Sequence, residues 1–136
     1  MYTVRVEADF AAAHSLTHYH GKCERLHGHN YLVRAWARGA ELGEGGMLID
    51  FILLKGALRE IVGALDHTNL NDEAAFADDP SAERIAKLIF DRLEAKLRAA
   101  GVDAGCLSAV DVYETATSMA RYERDLLPPA SIPDRP

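Results

Sequence analysis

Thr3-Val4-Arg5-Val6-Glu7-Ala8-Asp9-Phe10 alternates polar and apolar residues without a break. A period of two marks a half-buried β-strand, with one face on a core and the other toward water. The run leads on to His14. A second strand is expected from Asn30 to Arg38, where Tyr31, Val33 and Trp36 supply side chains that favour strands. A polar loop rich in His and Gly, residues 15–28, joins the two. Gly39 to Gly46 holds four glycines and reads as a turn.

Beyond the turn the period changes. Asp50 is placed to cap a helix in which Phe51, Leu54, Leu58, Ile61, Val62 and Leu65 fall on one face. Asp66-His67-Thr68-Asn69-Leu70-Asn71 breaks that helix. Asp79 can cap a second helix, Pro80 suits its first turn, and Ile85, Ile89, Leu93 and Leu97 form its apolar stripe up to Gly101. Leu107–Glu114 and Met119–Arg124 read as two more strands around a Thr115-Ala116-Thr117-Ser118 turn. The expected order is β-β-α-α-β-β, an α+β domain with a four-stranded antiparallel sheet and two helices on one face. One domain is expected over residues 1–126, with an extended Pro-rich tail over 127–136. Exposed strand edges in so small a sheet are commonly protected by pairing with neighbouring subunits.

Composition narrows the function classes. The net charge is −6, with 49% hydrophobic and 26% charged residues, as in an ordinary globular protein. No Lys/Arg cluster provides the basic footprint of a nucleic-acid binder. The apolar runs are too short to span a bilayer, and the N-terminus lacks the pattern of a secretory signal. The two cysteines, Cys23 and Cys106, make no disulfide framework, so a reducing cytoplasm is the expected compartment.

The chemistry concentrates in His20-Gly-Lys-Cys23-Glu24-Arg-Leu-His27-Gly-His29-Asn30. Residues i and i+2 of an extended segment share a face, so His27 and His29 can aim two imidazoles at one ion. His14, at the end of the adjacent strand, is the best third ligand; His18 or His20 could take its place. Three histidines with an open position make a catalytic zinc arrangement, whereas Cys23 as fourth ligand would close a structural one. Otherwise Cys23 is a thiolate base or nucleophile. Asp66-His67 is either an acid–base unit or a loop cap beside a solvated imidazole. Since adjacent residues rarely bond each other, either could act on Cys23. Glu114 shares strand parity with Val110 and Val112, and a carboxylate there needs a partner. That partner is either a ligand with two N–H donors or an arginine such as Arg34 or Arg121. Cys106 is expected to be a small buried apolar side chain.

Five ordered motifs carry a resemblance over roughly residues 2–124. They are Phe10-Ala-Ala-Ala-His14, Cys23-x-x-x-His27-Gly-His29-Asn30-Tyr31, Leu48-Ile-Asp50-Phe51-x-x-Leu54-Lys55, Leu65-Asp66-His67-x-x-Leu70-Asn71 and Glu114-Thr115-x-x-Ser118. The chain resembles the 6-pyruvoyl-tetrahydropterin synthase family, and within it the queuosine-pathway branch that forms 6-carboxy-tetrahydropterin. The resemblance implies a tunnelling fold (T-fold), a homohexamer built as a dimer of trimers, and active sites at subunit interfaces. It implies Zn2+ on His14, His27 and His29, a catalytic Cys23 with Asp66 and His67, and a pterin substrate held by Glu114 with Thr115 nearby. The implied reaction converts 7,8-dihydroneopterin triphosphate to 6-carboxy-tetrahydropterin, acetaldehyde and triphosphate. The three-residue gap between Cys23 and His27 matches the carboxy branch; the alternative within the family is the pyruvoyl branch, in which triphosphate is eliminated and the side-chain carbons stay. Glu24 also fits a variant in which a glutamate is the base of an aldolase-like cleavage. Ala82 stands where relatives often carry a hydroxyl, and the loop from Ser15 to Lys22 is short. A pterin-binding homologue without turnover is the alternative of a different class.

Overall fold

The computed structural model describes residues 1–76 and 79–125; the Pro-rich stretch 127–136 lies outside them. Two long strands, β1 (Tyr2–His14) and β2 (His27–Gly39), pair antiparallel without a break, from Tyr2 opposite Gly39 to His14 opposite His27. β2 therefore begins at His27, three residues before the expected start at Asn30, and His27-Gly28-His29 is part of the ladder. Helix α1 (Phe51–Leu65) follows, then a short strand β3 (Thr68–Asn69), helix α2 (Ala82–Ala99), and the hairpin β4 (Leu107–Thr115) and β5 (Ser118–Glu123). The sheet order is β3-β1-β2-β4-β5.

Among the described residues the sheet thus has five strands, one more than the four read from periodicity. The four long strands are antiparallel, while β3 runs parallel to β1 beside Ala12 and Ala13. Two residues carry no period, so β3 had no sequence signal. It forms because the chain leaving α1 returns along the open edge of β1, where the His67 amide donates to the Ala11 carbonyl at 2.6 Å.

Both helices cover one face. Val6, Phe10, Tyr31, Val33, Val110 and Val112 from the sheet meet Leu54, Leu58, Ile61 and Leu65 of α1 and Ile85, Ile89, Leu93 and Leu97 of α2. Asp50 caps α1, accepting from the Ile52 amide at 2.8 Å. The cap of α2 is Ser81 rather than Asp79: Ser81 Oγ accepts from the Arg84 amide at 3.3 Å. Pro80 accordingly precedes the cap instead of occupying the first turn. A capping side chain accepts from an amide two or three residues further on, and the Asp79 carboxylate is engaged elsewhere, by Thr17 and His18.

The opposite sheet face carries polar side chains. Asp111 is 1% exposed there. It accepts from Trp36 Nε1 at 2.7 Å and from Arg121 Nε and Nη2 at 2.6 and 3.0 Å. That pairing satisfies the buried charge. No helix among the described residues is long and apolar enough to cross a membrane.

Helix α1 offers an internal control on the packing argument. Leu58 is fully buried and Ile52 is 84% exposed. Leu58→Ala is expected to cost about 2–5 kcal/mol in urea unfolding, and Ile52→Ala to stay within about 0.5 kcal/mol of wild type. Equal losses would contradict this core.

Candidate metal centre and active site

The β1–β2 register builds the cluster. His14 stands opposite His27 and Ala12 opposite His29, with side-chain alternation turning all three imidazoles to the helix-covered face. Their ligand nitrogens lie within 4.8 Å of one another. Ring centroids are 4.5 Å apart for His14–His27, 5.1 Å for His14–His29 and 4.8 Å for His27–His29.

Two rings are oriented from behind. His14 Nδ1 donates to the Pro80 carbonyl at 2.8 Å and His27 Nδ1 donates to the Arg25 carbonyl at 2.7 Å. A carbonyl only accepts, so each ring carries its proton on Nδ1 and turns the Nε2 lone pair toward the cluster. His14 Nε2 and His29 Nε2 are buried without a hydrogen-bond partner among the described residues. Such groups are costly unless something satisfies them, and a divalent cation would accept both lone pairs. Burial pushes the His29 imidazole below its usual pKa against the opposing pull of Glu114, which favours the neutral form that a metal ligand requires. The donor set therefore fits zinc. Cys23 Sγ is not part of the group of converging ligand atoms.

Glu114 reaches the same place from β4. Its oxygens lie 3.7 Å from His14 Nε2 and 4.0 Å from His29 Nε2. Neither expected arginine meets it: Arg34 pairs with Glu7 and Tyr113, and Arg121 with Asp111. The fully buried Tyr31 adds a hydroxyl with no partner among the described residues, and burial, then the Glu114 charge, push this phenol well above its usual pKa. Sequence patterning marked Tyr31 only as a strand former. Thr115, next to Glu114, is the last residue of β4, and its Oγ1 accepts from the Thr117 amide at 3.3 Å.

Cys23 sits half-buried in a single 3₁₀ turn, Lys22–Glu24, and its sulfur has no hydrogen-bond partner among the described residues. Its neighbour Glu24 is exposed. His20 is exposed in the same loop, and His18 faces Asp79 at 3.3 Å. Neither belongs to the cluster of ligand atoms.

Asp66 and His67 do bond each other, contrary to the expectation for adjacent residues: Asp66 Oδ2 and His67 Nδ1 are 2.8 Å apart. His67 adopts φ 57, in the left-handed region, which folds its ring back over Asp66. The other Asp66 oxygen accepts from the Ala11 amide at 2.8 Å. That bond, then the one from His67, hold the Asp66 carboxyl below the usual range. His67 is 82% exposed and shares a shallow cleft with His29, Asn30 and Thr68. No hydrogen bond joins either residue to Cys23 among the described residues. Cys106 is half-buried rather than buried. Its thiol donates to the Asp103 carbonyl at 3.2 Å and is pushed up by burial, which suits an unreactive role.

Two outcomes follow. His29→Ala should lower zinc affinity at least about 100-fold by competition with a chelating dye, while Glu114→Gln should leave zinc content at the wild-type level; retained affinity in His29→Ala would exclude this centre. Asp66, with its lowered folded pKa, stabilises the fold fully above about pH 4, and that contribution is lost as pH falls through the folded value. Asp66→Asn should therefore reduce the difference in urea midpoint between neutral and acid pH; an unchanged difference would contradict the assignment.

Residues 3–125 match the family described as 6-pyruvoyl tetrahydropterin synthase. The chain is 42% identical over 134 residues to the 6-carboxy-5,6,7,8-tetrahydropterin synthase of Synechocystis sp., covering 95% of this chain and 98% of that one. It is 38% identical over 107 residues to the Bacillus subtilis protein of the same name, covering 75% and 70%. The solved structure of Caenorhabditis elegans 6-pyruvoyl tetrahydropterin synthase matches with a TM-score of 0.79 at 25% identity, over 91% of this chain and 96% of that one. Sheet order, helix placement and sequence agree: this T-fold chain belongs to the 6-pyruvoyl tetrahydropterin synthase family, whose relatives are named as pterin synthases.

Proposed function

We propose that the protein is a zinc-dependent lyase that converts 7,8-dihydroneopterin triphosphate to 6-carboxy-5,6,7,8-tetrahydropterin, releasing acetaldehyde and triphosphate. The observation that carries the reading is the cluster of three converging imidazoles facing Glu114, in a chain 42% identical to a protein named for that product. His14, His27 and His29 would hold the metal, with the Pro80 and Arg25 carbonyls fixing two of the rings. Bound there, zinc would supply Lewis-acid polarisation of the substrate's side-chain hydroxyls, making the adjacent C–H more acidic.

The remaining roles fall to the chain's own side chains. Glu114, with no arginine claimed from Arg34 or Arg121, accepts two parallel N–H bonds from the pterin ring, and Thr115 lies next to it. Cys23 removes the proton as thiolate, its sulfur without a competing hydrogen bond among the described residues. Asp66 accepts from His67 Nδ1–H and leaves His67 Nε2 to pass a proton. The exposure of His67 and its lack of a bond to Cys23 favour a site completed by a neighbouring subunit of a homohexamer. The reading assigns the enzyme to the cytoplasm, in keeping with two free cysteines.

Product analysis tests the reading. Zinc-loaded protein given 7,8-dihydroneopterin triphosphate should yield 6-carboxy-tetrahydropterin and acetaldehyde by mass spectrometry. Cys23→Ala should reduce kcat by about 100- to 10,000-fold while zinc and pterin stay bound, and Glu24→Gln should keep the activity. Hydroxymethyl-dihydropterin lost in Glu24→Gln would transfer the base to Glu24. Bound pterin with no turnover would make the protein a binding homologue.

A further inference from the structure

We infer that Asp79 and Asn71 are positioning residues that hold Cys23 beside the histidine cluster, acting through the backbone of residues 15–18. The inference rests on the proposed role of Cys23, but its geometry is independent of that role. Ser15 follows His14 directly. Asn71 pairs with both backbone groups of Ser15: its Oδ1 accepts from the Ser15 amide at 2.8 Å, and its Nδ2 donates to the Ser15 carbonyl at 2.9 Å. Two residues further on, Asp79 Oδ1 accepts from the Thr17 amide at 2.8 Å and from Thr17 Oγ1 at 2.7 Å. Asp79 Oδ2 accepts from the His18 amide at 2.9 Å.

Leu16 lies between these two clamps, and its amide donates to the Cys23 carbonyl at 2.7 Å. The line of contact therefore runs from Asn71 and Asp79 to Ser15 and Thr17, through Leu16, to the residue bearing the thiol. The other backbone bonds of this loop are local, from Tyr19 to Leu16 and from Glu24 to Gly21. Among the described residues, the hydrogen bonds that tie residues 15–24 to the helical half of the protein run through Asn71 and Asp79. An exposed loop without them would lose its fixed conformation.

Asp79 is itself held at a meaningful point. Its carbonyl accepts from the Ser81 amide at 2.9 Å and from Arg84 Nη1 at 3.1 Å, at the start of α2. The next residue, Pro80, supplies the carbonyl that orients His14. One dipeptide, Asp79-Pro80, thus bonds both to the loop that carries the thiol and to the imidazole cluster. The donors from Thr17 and His18 also keep the carboxyl ionised, well below the usual range, and bonds to a charged acceptor are the stronger kind. The misplacement of a reacting group by an ångström costs far more in rate than in binding.

The test uses the full-length, zinc-loaded protein. In Asp79→Ala and Asn71→Ala, kcat should fall about 10- to 100-fold with KM near wild type and zinc content unchanged. Amide hydrogen exchange of the peptide spanning residues 15–23 should speed up about tenfold, and exchange in α1, α2 and β4 should not change. Asp79→Asn should lie between, since one oxygen still accepts from Thr17 while the new NH2 faces the His18 amide. Unchanged exchange at 15–23, or an increase spread over the whole chain, would overturn the inference. So would loss of zinc with a normal loop. Exchange is read without turnover, so a wild type that forms no carboxylated pterin would sink the functional reading and leave this test intact.

Discussion

The pairing of β1 with β2 is the constraint on which the rest depends. Thirteen residues of each strand face each other without a bulge, from Tyr2 opposite Gly39 to His14 opposite His27. Because side chains alternate, one register decides every face at once. It puts Val6, Phe10, Tyr31, Val33 and Ala35 into the core, and at the far end it puts His14, His27 and His29 on that same face. A slip by one residue would turn the apolar set to water and scatter the imidazoles. The apolar pairing that stabilises the sheet therefore also assembles the cluster.

The cluster is a continuation of the core by polar means. His14 is as buried as the leucines around it. Its Nδ1 is satisfied by Pro80, and its Nε2, like that of His29, has no partner among the described residues. A protein retains such unsatisfied groups where something else completes them. Metal affinity would offset the cost of keeping three imidazoles close together, one of them buried and two half-buried. Glu114 lies on the neighbouring strand β4 with its side chain on the same face, so a carboxylate and the three-imidazole cluster share one wall of the sheet. The loop with Cys23 is attached differently, by side-chain bonds from Asn71 and Asp79 rather than by packing, which lets a mainly exposed segment keep a defined place.

Much of this was legible in the residues. The alternation from Thr3 to Phe10, the stripe from Ile85 to Leu97 and the Asp50 cap follow from local periodicity and short-range hydrogen bonding, and each is found. The spacing of His27 and His29 predicted a shared face because extended geometry is regular. What escaped were arrangements made between distant residues. Asp79 looked like a helix cap because a carboxylate before a proline usually is one. Its real partners are Thr17 and His18, more than sixty positions earlier in the chain. The two residues of β3 have no period of their own. The Asp66–His67 bond depends on a left-handed backbone at a non-glycine residue, which composition does not announce. The acceptors of Arg34 and Arg121 were open in the sequence and are closed in the fold by Glu7 and Asp111, which leaves Glu114 for another donor.

Zinc K-edge absorption spectroscopy of the metal-loaded protein tests the central claim most directly. The account predicts a shell of three imidazole nitrogens at about 2.0–2.1 Å with a further light-atom ligand and no sulfur. A sulfur scatterer at about 2.3 Å would make Cys23 a ligand of a closed structural site, and would contradict both the open metal centre and the role of the thiol as base.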